Sequence, residues 1–192
     1  PFIAAELRLS AFLEESILLS FLVGCIIGAL LIGRRADFYG RRSLLMFLPL
    51  IYLIGAIGAG VANNTHLLIL FRILAGISLG GITVISPIYL AEMSVPDLRG
   101  RVVAAFPLFM VVGIFLAVFL DYLTMDLGGN NWRYMFLFGG LPALISVPLA
   151  LFIPESPRWL MQKGQERVAR FIIHQVNPDA DRDEVVNGIK QS

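Results

Sequence analysis

The amino-acid sequence predicts an all-α, multi-pass membrane protein, and three observations carry that prediction. Of its 192 residues, 57% are hydrophobic and 15% charged, with a mean hydropathy of +0.79; a typical soluble domain has about 25% charged residues. One globular core cannot hide that much apolar surface, so lipid is the natural solvent. Five runs reach the ~20 mainly apolar residues that a helix needs to cross the hydrocarbon. They are apolar all the way round, without the single stripe of a surface helix or the period-two alternation of a barrel strand. Basic residues gather on alternate connections between these runs.

Residues 1–14 read as an extracytoplasmic segment and 15–160 as the transmembrane region, with spans over about 15–33, 43–62, 67–91, 102–120 and 134–153. From Ser16 to Gly33 the only ionisable side chain is Cys25, and from Ser43 to Ala62 the only one is Tyr52. A single cysteine forms no internal disulfide, and Cys25 reads as packing. Pro49, Pro87, Pro107, Pro142 and Pro148 fall inside spans, where neighbouring helices can satisfy the freed backbone groups. Small residues recur four apart in Gly24 and Gly28, Ala56 and Gly60, and Gly76 and Gly80, a spacing that lets helix backbones approach closely. It suits either a static, tight bundle or hinges in moving helices. His66 falls in the short connection before the third span, with Thr65 as a candidate cap.

Orientation follows from the cations. One side collects twelve: Arg34, Arg35, Arg41, Arg42, Arg99, Arg101, Arg158, Lys163, Arg167, Arg170, Arg182 and Lys190. The other side has Arg8 and Arg133, and Arg72 lies within a span. The positive-inside rule therefore makes "GRRADFYGRR", residues 33–42, a cytoplasmic loop and leaves the start of the chain outside. One further span upstream would return the start to the cytoplasm and complete six helices, a common half-unit of secondary transporters.

Beyond the fifth span the composition changes. Residues 161–192 read as a cytoplasmic amphipathic helical segment lying against the membrane domain. Val168, Phe171, Ile172 and Val176 supply its apolar face, and Asp179 or Asp181 would cap another helix. His174 reads as a solvated helix residue. Nothing points to an enzyme, a metal or a cofactor: no ligand cluster, phosphate-cradling loop or nucleophile beside a histidine stands out. The net charge of +1 is spread among connections, which gives no footprint for nucleic acid.

Three local patterns now converge. "GRRADFYGRR" resembles the G-x-x-x-D-R-x-G-R-R signature of the major facilitator superfamily through Gly33, Asp37, Gly40, Arg41 and Arg42, with Phe38 in a usually basic place. "RILAGISLGGITVISPIYLAEMSVPDLRG" resembles the sugar-porter pattern through Arg72, Gly76, Gly80, Pro87, Tyr89, Glu92, Arg99 and Gly100, with Ser78 for the usual middle glycine. "PESPRWL", residues 154–160, is similar to the sugar-porter signature after the sixth helix. The resemblance covers nearly the whole chain, as helices two to six of the amino-terminal half plus the start of the central cytoplasmic domain. It implies a partial six-helix half of a twelve-helix transporter in the plasma (cytoplasmic) membrane. The first helix and the carboxy-terminal half would then be its partners, with the lipid bilayer, a small solute such as a sugar, and protons.

The resemblance also implies roles. Gly33, Asp37, Gly40, Arg41, Arg42, Glu92, Arg99, Glu155 and Arg158 would form a cytoplasmic charge network that holds helix ends together in the outward-facing state. Asp37 is suited to the positive N-terminal end of another helix, worth about 0.3–1 kcal/mol. Alternatively, the arginines only fix topology. Arg72 lies about 9 Å down the third span at helical rise, on one narrow face with Gly76, Thr83 and Pro87. It is the coupling candidate, because family members often pair it with an acid on the first helix. Here Asp121 is the nearest acid in view, and snorkelling of Arg72 is the other reading.

The substrate-binding residues stay unassigned. Where many sugar porters have glutamines on the fifth helix, this chain has Pro107 and Ile114, and residues 102–120 have no side chain that can hydrogen-bond. A sugar needs many directed partners in a dry site. The expectation is therefore a secondary transporter of a small solute, a sugar by resemblance, working by alternating access and coupled to protons. A facilitative uniporter, an organic or aromatic acid transporter of the same fold, and a non-transporting solute receptor are the alternatives.

Overall fold

The computed structural model describes residues 11–124 and 131–176. Among the described residues there are eight helices: α1 Ala11–Tyr39, α2 Arg41–Val61, α3 Thr65–Met93, α4 Pro96–Thr124, α5 Asn131–Gly139, α6 Leu141–Phe152, α7 Pro157–Gln162 and α8 Glu166–Val176. Helices α1 to α4, and α5 with α6 taken together, are long and apolar enough to cross a membrane. Each of the five apolar runs lies on such a helix, most of these helices being longer than the run. At 1.5 Å per residue the 29 residues of α1 reach about 43 Å, beyond a hydrocarbon core of about 30 Å.

The expected loop 33–42 is not a loop. Helix α1 runs through Gly33 and Asp37 to Tyr39, α2 opens at Arg41, and only Gly40 separates them. The helical ladder persists to the end, with Gly40 N donating to the Ala36 carbonyl at 3.1 Å, because no residue from 34 to 39 disrupts a helix. The fifth span departs in the other direction and breaks at Gly140. Pro142 stands in the first turn of α6 and has no N–H for the Phe138 carbonyl. The Gly140 N–H turns instead to the Leu137 carbonyl at 3.0 Å. Helix α3 is capped by Asn64, whose side chain accepts from Leu67 N at 2.8 Å, one residue before the expected Thr65.

The recurring small residues explain the packing. Gly24 and Gly28 of α1 lie on the α3 backbone at Ile73 and Ile77, while Gly76 and Gly80 of α3 lie on the α1 backbone at Phe21 and Cys25. A Cβ at any of the four would collide with a carbonyl oxygen of the facing helix. Helix α2 covers another side of α3, with Gly55 against Ala75 and Gly58 under the ring of Phe71. Ser78, where the family pattern has glycine, is fully buried and donates its hydroxyl to the Leu48 carbonyl of α2. Gly60 meets Leu137 and the Arg133 carbonyl of α5. Apolar clusters close both ends: Ile17, Leu68 and Trp132 at one, Ala36, Leu44, Leu48 and Ile85 at the arginine-rich one. Helix α4 lies alongside α3 and α5, yet none of its most apolar stretch is buried.

After α6 the chain turns back. Gly164, with φ 74°, folds α8 onto α7; Ala169 and Ile172 pack against Leu160 with Met93 of α3 nearby, and Ile173 is also buried. The sequence placed the apolar face on Val168, Phe171, Ile172 and Val176. Of these only Ile172 is buried, and Val168, Phe171 and Val176 are exposed. The buried set is displaced by one position because the approach angle from α7, not the apolar pattern, decides which side meets Leu160. His66 and His174 are both exposed. The cap at Asp179 or Asp181 lies outside the described residues.

Candidate functional site at the arginine-rich end

The break at Gly40 organises this site. Gly40 has φ 85° and ψ 155°, a conformation open to glycine and strained for other residues. A Cβ there would also run into the Glu155 carboxylate and come within 3.3 Å of the Trp159 ring. That space is filled because Glu155 caps α2. Its Oε1 accepts from Arg41 N at 2.9 Å, Arg42 N at 3.1 Å and Ser156 N at 2.9 Å. Gly40 offers α2 no side-chain cap, so a carboxylate remote in sequence satisfies its orphan N–H groups and meets its positive dipole end. The helix-end role expected of Asp37 falls instead to Glu155.

Arg41 is the centre of the charge cluster. It is 5% exposed, and its Nη2 lies 3.0 Å from Asp37 Oδ1 and 3.0 Å from Glu92 Oε1. Its Nη1 donates to the Ala36 carbonyl at 3.2 Å. The two acids are unequal partners, since the Asp37 side chain is 66% exposed and that of Glu92 only 9%. Solvent screens the Asp37 contact to the scale of surface pairs, about 0–1 kcal/mol. The Glu92 contact is buried, and breaking such a pair costs about 3–5 kcal/mol. Arg41 Nε and Glu92 Oε2 are buried and without hydrogen-bond partners.

The "PESPRWL" stretch ties further ends to this cluster. Arg42 Nη2 donates to the Leu151 carbonyl at 2.8 Å, a cation on the last turn of α6. The Tyr89 hydroxyl of α3 donates to the Pro154 carbonyl at 2.9 Å. Trp159 Nε1 donates to the Asp37 carbonyl at 3.0 Å, in the last turn of α1. Ser156 caps α7, its Oγ accepting from Trp159 N at 3.4 Å. Lys163 Nζ sits 5.7 Å from the Phe38 ring and 5.6 Å from the Trp159 ring. The ends of α1, α2 and α3 are thereby joined to the end of α6 through Pro154, Glu155 and Trp159 and through the Arg42 side chain.

Of the nine expected network residues, Asp37, Gly40, Arg41, Arg42, Glu92 and Glu155 come together. Arg158 is half-buried on α7, and Gly33 lies inside α1, where an added Cβ would stand 3.6 Å from Val84. Arg99 does not join them: it is exposed in the first turn of α4, with no ion pair among the described residues. The reason is that α4 presents no buried surface there to draw the side chain inward. Trp159 and Ser156 are further members of the site that sequence reasoning missed; the Ser-Pro step before a helix is the signal that marks Ser156.

Arg72 is separate. Its guanidinium carbon lies 4.5 Å from the Phe21 ring centroid of α1 and 5.3 Å from that of Phe136 on α5. It is half-buried, and its Nε has no partner. Among the described residues no carboxylate pairs with it, and Asp121 is exposed on α4. The face of α3 that carries Arg72 and Gly76 does meet α1, as the helical spacing requires.

The geometry has clear relatives. The family model described as "Sugar (and other) transporter" matches residues 6–192. The major myo-inositol transporter IolT of Bacillus subtilis is 40% identical over 177 residues, 91% of this chain and 37% of that protein. The arabinose-proton symporter of Escherichia coli is 33% identical over 193 residues, 100% of this chain and 40% of that protein. Among solved structures, the major facilitator superfamily proton:xylose symporter XylE bound to 6-bromo-6-deoxy-D-glucose superposes with a TM-score of 0.89 at 28% identity, over 98% of this chain and 46% of that one. The inward-open form of XylE from Escherichia coli gives 0.85 at 28% identity, over 100% and 47%. The chain spans about two fifths of the length of the curated relatives it matches. Motif order, helix order and overall shape agree, and the chain belongs to the sugar transporter family of the major facilitator superfamily.

Proposed function

We propose that the protein is a secondary transporter that moves a small solute, a sugar or a related polyol, across the plasma membrane by alternating access with a proton as coupling ion. The arginine-rich end faces the cytoplasm, and the cluster around Arg41 and Glu155 forms part of the inner gate. One observation carries this reading: beyond the apolar cluster at this end, the ends of four helices are joined by charges and hydrogen bonds. Such contacts can be exchanged for water one set at a time, which gives a gate two discrete states. The names of the relatives support the cargo class and the proton. Arg72 is the coupling residue in this reading, a partly buried cation held between two rings and ready for an acid that comes and goes with its proton.

A second cargo, an organic or aromatic acid, is favoured by α4. Residues 102–120 offer no hydrogen-bonding side chain, whereas a sugar needs several. Uptake by the full-length protein in proteoliposomes, with labelled pentose, hexose, inositol and an aromatic acid, separates the readings. Gradient-dependent accumulation of a sugar or inositol supports the first, and acid uptake alone the second. Equilibration without accumulation means a uniporter, and binding without uptake means a receptor.

A further inference from the structure

A groove of about 310 Å³ opens between α1 and α2, lined by Ile32, Arg35, Tyr39, Ser43, Leu44 and Phe47. It lies apart from the charge cluster: Asp37, two residues from both Arg35 and Tyr39, falls on roughly the opposite side of α1. Its chemistry is graded. Tyr39 and Ser43 stand at the helix ends beside Gly40, with Arg35 one turn farther in. Ile32 and Phe47 lie deepest, about 10 Å from Tyr39 at helical rise. Among the described residues, the Arg35 guanidinium, Tyr39 hydroxyl and Ser43 hydroxyl have no ion pair or hydrogen bond with another side chain. Tyr39 and Phe47 are exposed, and tyrosine is a residue type enriched where a bilayer's headgroups meet its chains.

We propose that this groove is a binding site for an anionic glycerophospholipid. The phosphate is held by Arg35, Ser43 and Tyr39, and the upper part of one acyl chain lies against Ile32, Leu44 and Phe47. Depth and charge both argue for a lipid. The step from guanidinium and hydroxyls to aliphatic walls spans about the thickness of the interfacial layer. The cations at this end attract an anionic headgroup over a zwitterionic one. Binding across α1 and α2 would brace the two helices at Gly40. The leaflet is the inner one under the orientation proposed above; the site itself rests only on the membrane embedding of α1 and α2.

The test uses the full-length protein in detergent, titrated with phosphatidylglycerol or phosphatidylcholine of matched chains and read by native mass spectrometry. Wild type should retain phosphatidylglycerol in preference. Arg35→Gln should weaken that retention roughly fivefold, the effect of one basic side chain at an anionic surface. Arg35→Lys should restore most of it, and Phe47→Ala should weaken both lipids. Arg34→Gln, on a neighbouring exposed position outside the groove, should leave the preference intact. Equal losses in Arg34→Gln and Arg35→Gln would reduce the effect to general positive charge and overturn the site. No preference between the lipids, or unchanged retention by Arg35→Gln, would also overturn it. Displacement of the lipid by glycerol phosphate at matched concentration would assign the groove to a soluble phosphate ester instead. Unchanged helical circular dichroism in each variant keeps a folding defect from imitating a binding one.

Discussion

The Glu155 carboxylate accepts the Arg41 backbone N–H at 2.9 Å across a separation of 114 residues. A segment beyond the fifth span thus supplies the cap that the second helix lacks, which makes the start of α2 dependent on the arrival of "PESPRWL". Glu155→Ala leaves the Arg41 and Arg42 N–H groups uncapped and should lower stability by about 0.5–2 kcal/mol. Glu155→Gln keeps an acceptor and loses only the charge at the dipole, about 0.3–1 kcal/mol. Thermal unfolding of both variants in one detergent checks the order, and equal losses would refute the capping account.

Gly40→Ala combines a positive φ with a collision against Glu155 and Trp159. A strained backbone position costs about 1–3 kcal/mol, and the displaced carboxylate also loses its grip on α2. The expected result is a loss at least as large as that of Glu155→Ala, with transport reduced. Both are read from melting and from uptake at matched reconstitution.

The unequal burial of the two acids beside Arg41 predicts unequal mutants. Glu92→Gln should cost about 3–5 kcal/mol by leaving a buried guanidinium without its buried partner. Asp37→Asn should change stability by no more than about 1 kcal/mol, and Arg99→Gln should be neutral. Denaturation midpoints decide this, and comparable losses for Asp37→Asn and Glu92→Gln would mean that burial does not set the strength of the cluster.

Gly28→Ala places a methyl group on the Ile77 carbonyl and should force α1 and α3 apart, at about 1–3 kcal/mol. Gly113→Ala is the control, since nothing lies within 4 Å of its added Cβ. It should bring no loss and gain up to about 1 kcal/mol of helix propensity. Melting temperatures of the pair provide the comparison.

Arg72→Lys keeps the charge and loses the planar group between Phe21 and Phe136. Stacking of this kind is worth about 0.5–2 kcal/mol, so the fold should survive with a modest loss. Gradient-driven accumulation should fall well below wild type if Arg72 serves coupling. Undiminished accumulation by both Arg72→Lys and Arg72→Met would confine the residue to packing.

How far the sequence reached follows a physical divide. Membrane embedding, the helical class and five spans were legible because they depend on composition and on runs longer than the hydrocarbon is thick. The small-residue pairs also predicted close approach, and α1 and α3 meet at those glycines. Motif order identified the family. Partner choice was not legible. The sequence could nominate Asp37 for a helix end, but only the tertiary fold decided that Glu155 caps the backbone of α2 while Asp37 pairs with the Arg41 side chain across the Gly40 break. It could list Arg99 among the charges, but the exposed position of α4 leaves that residue outside. It could mark an apolar face on residues 168–176, but the turn at Gly164 chose the side of α8 that is buried. Local pattern fixes which residues must leave water. Which atoms they then meet depends on distances between helices far apart in the chain, and those exist only once the bundle has assembled.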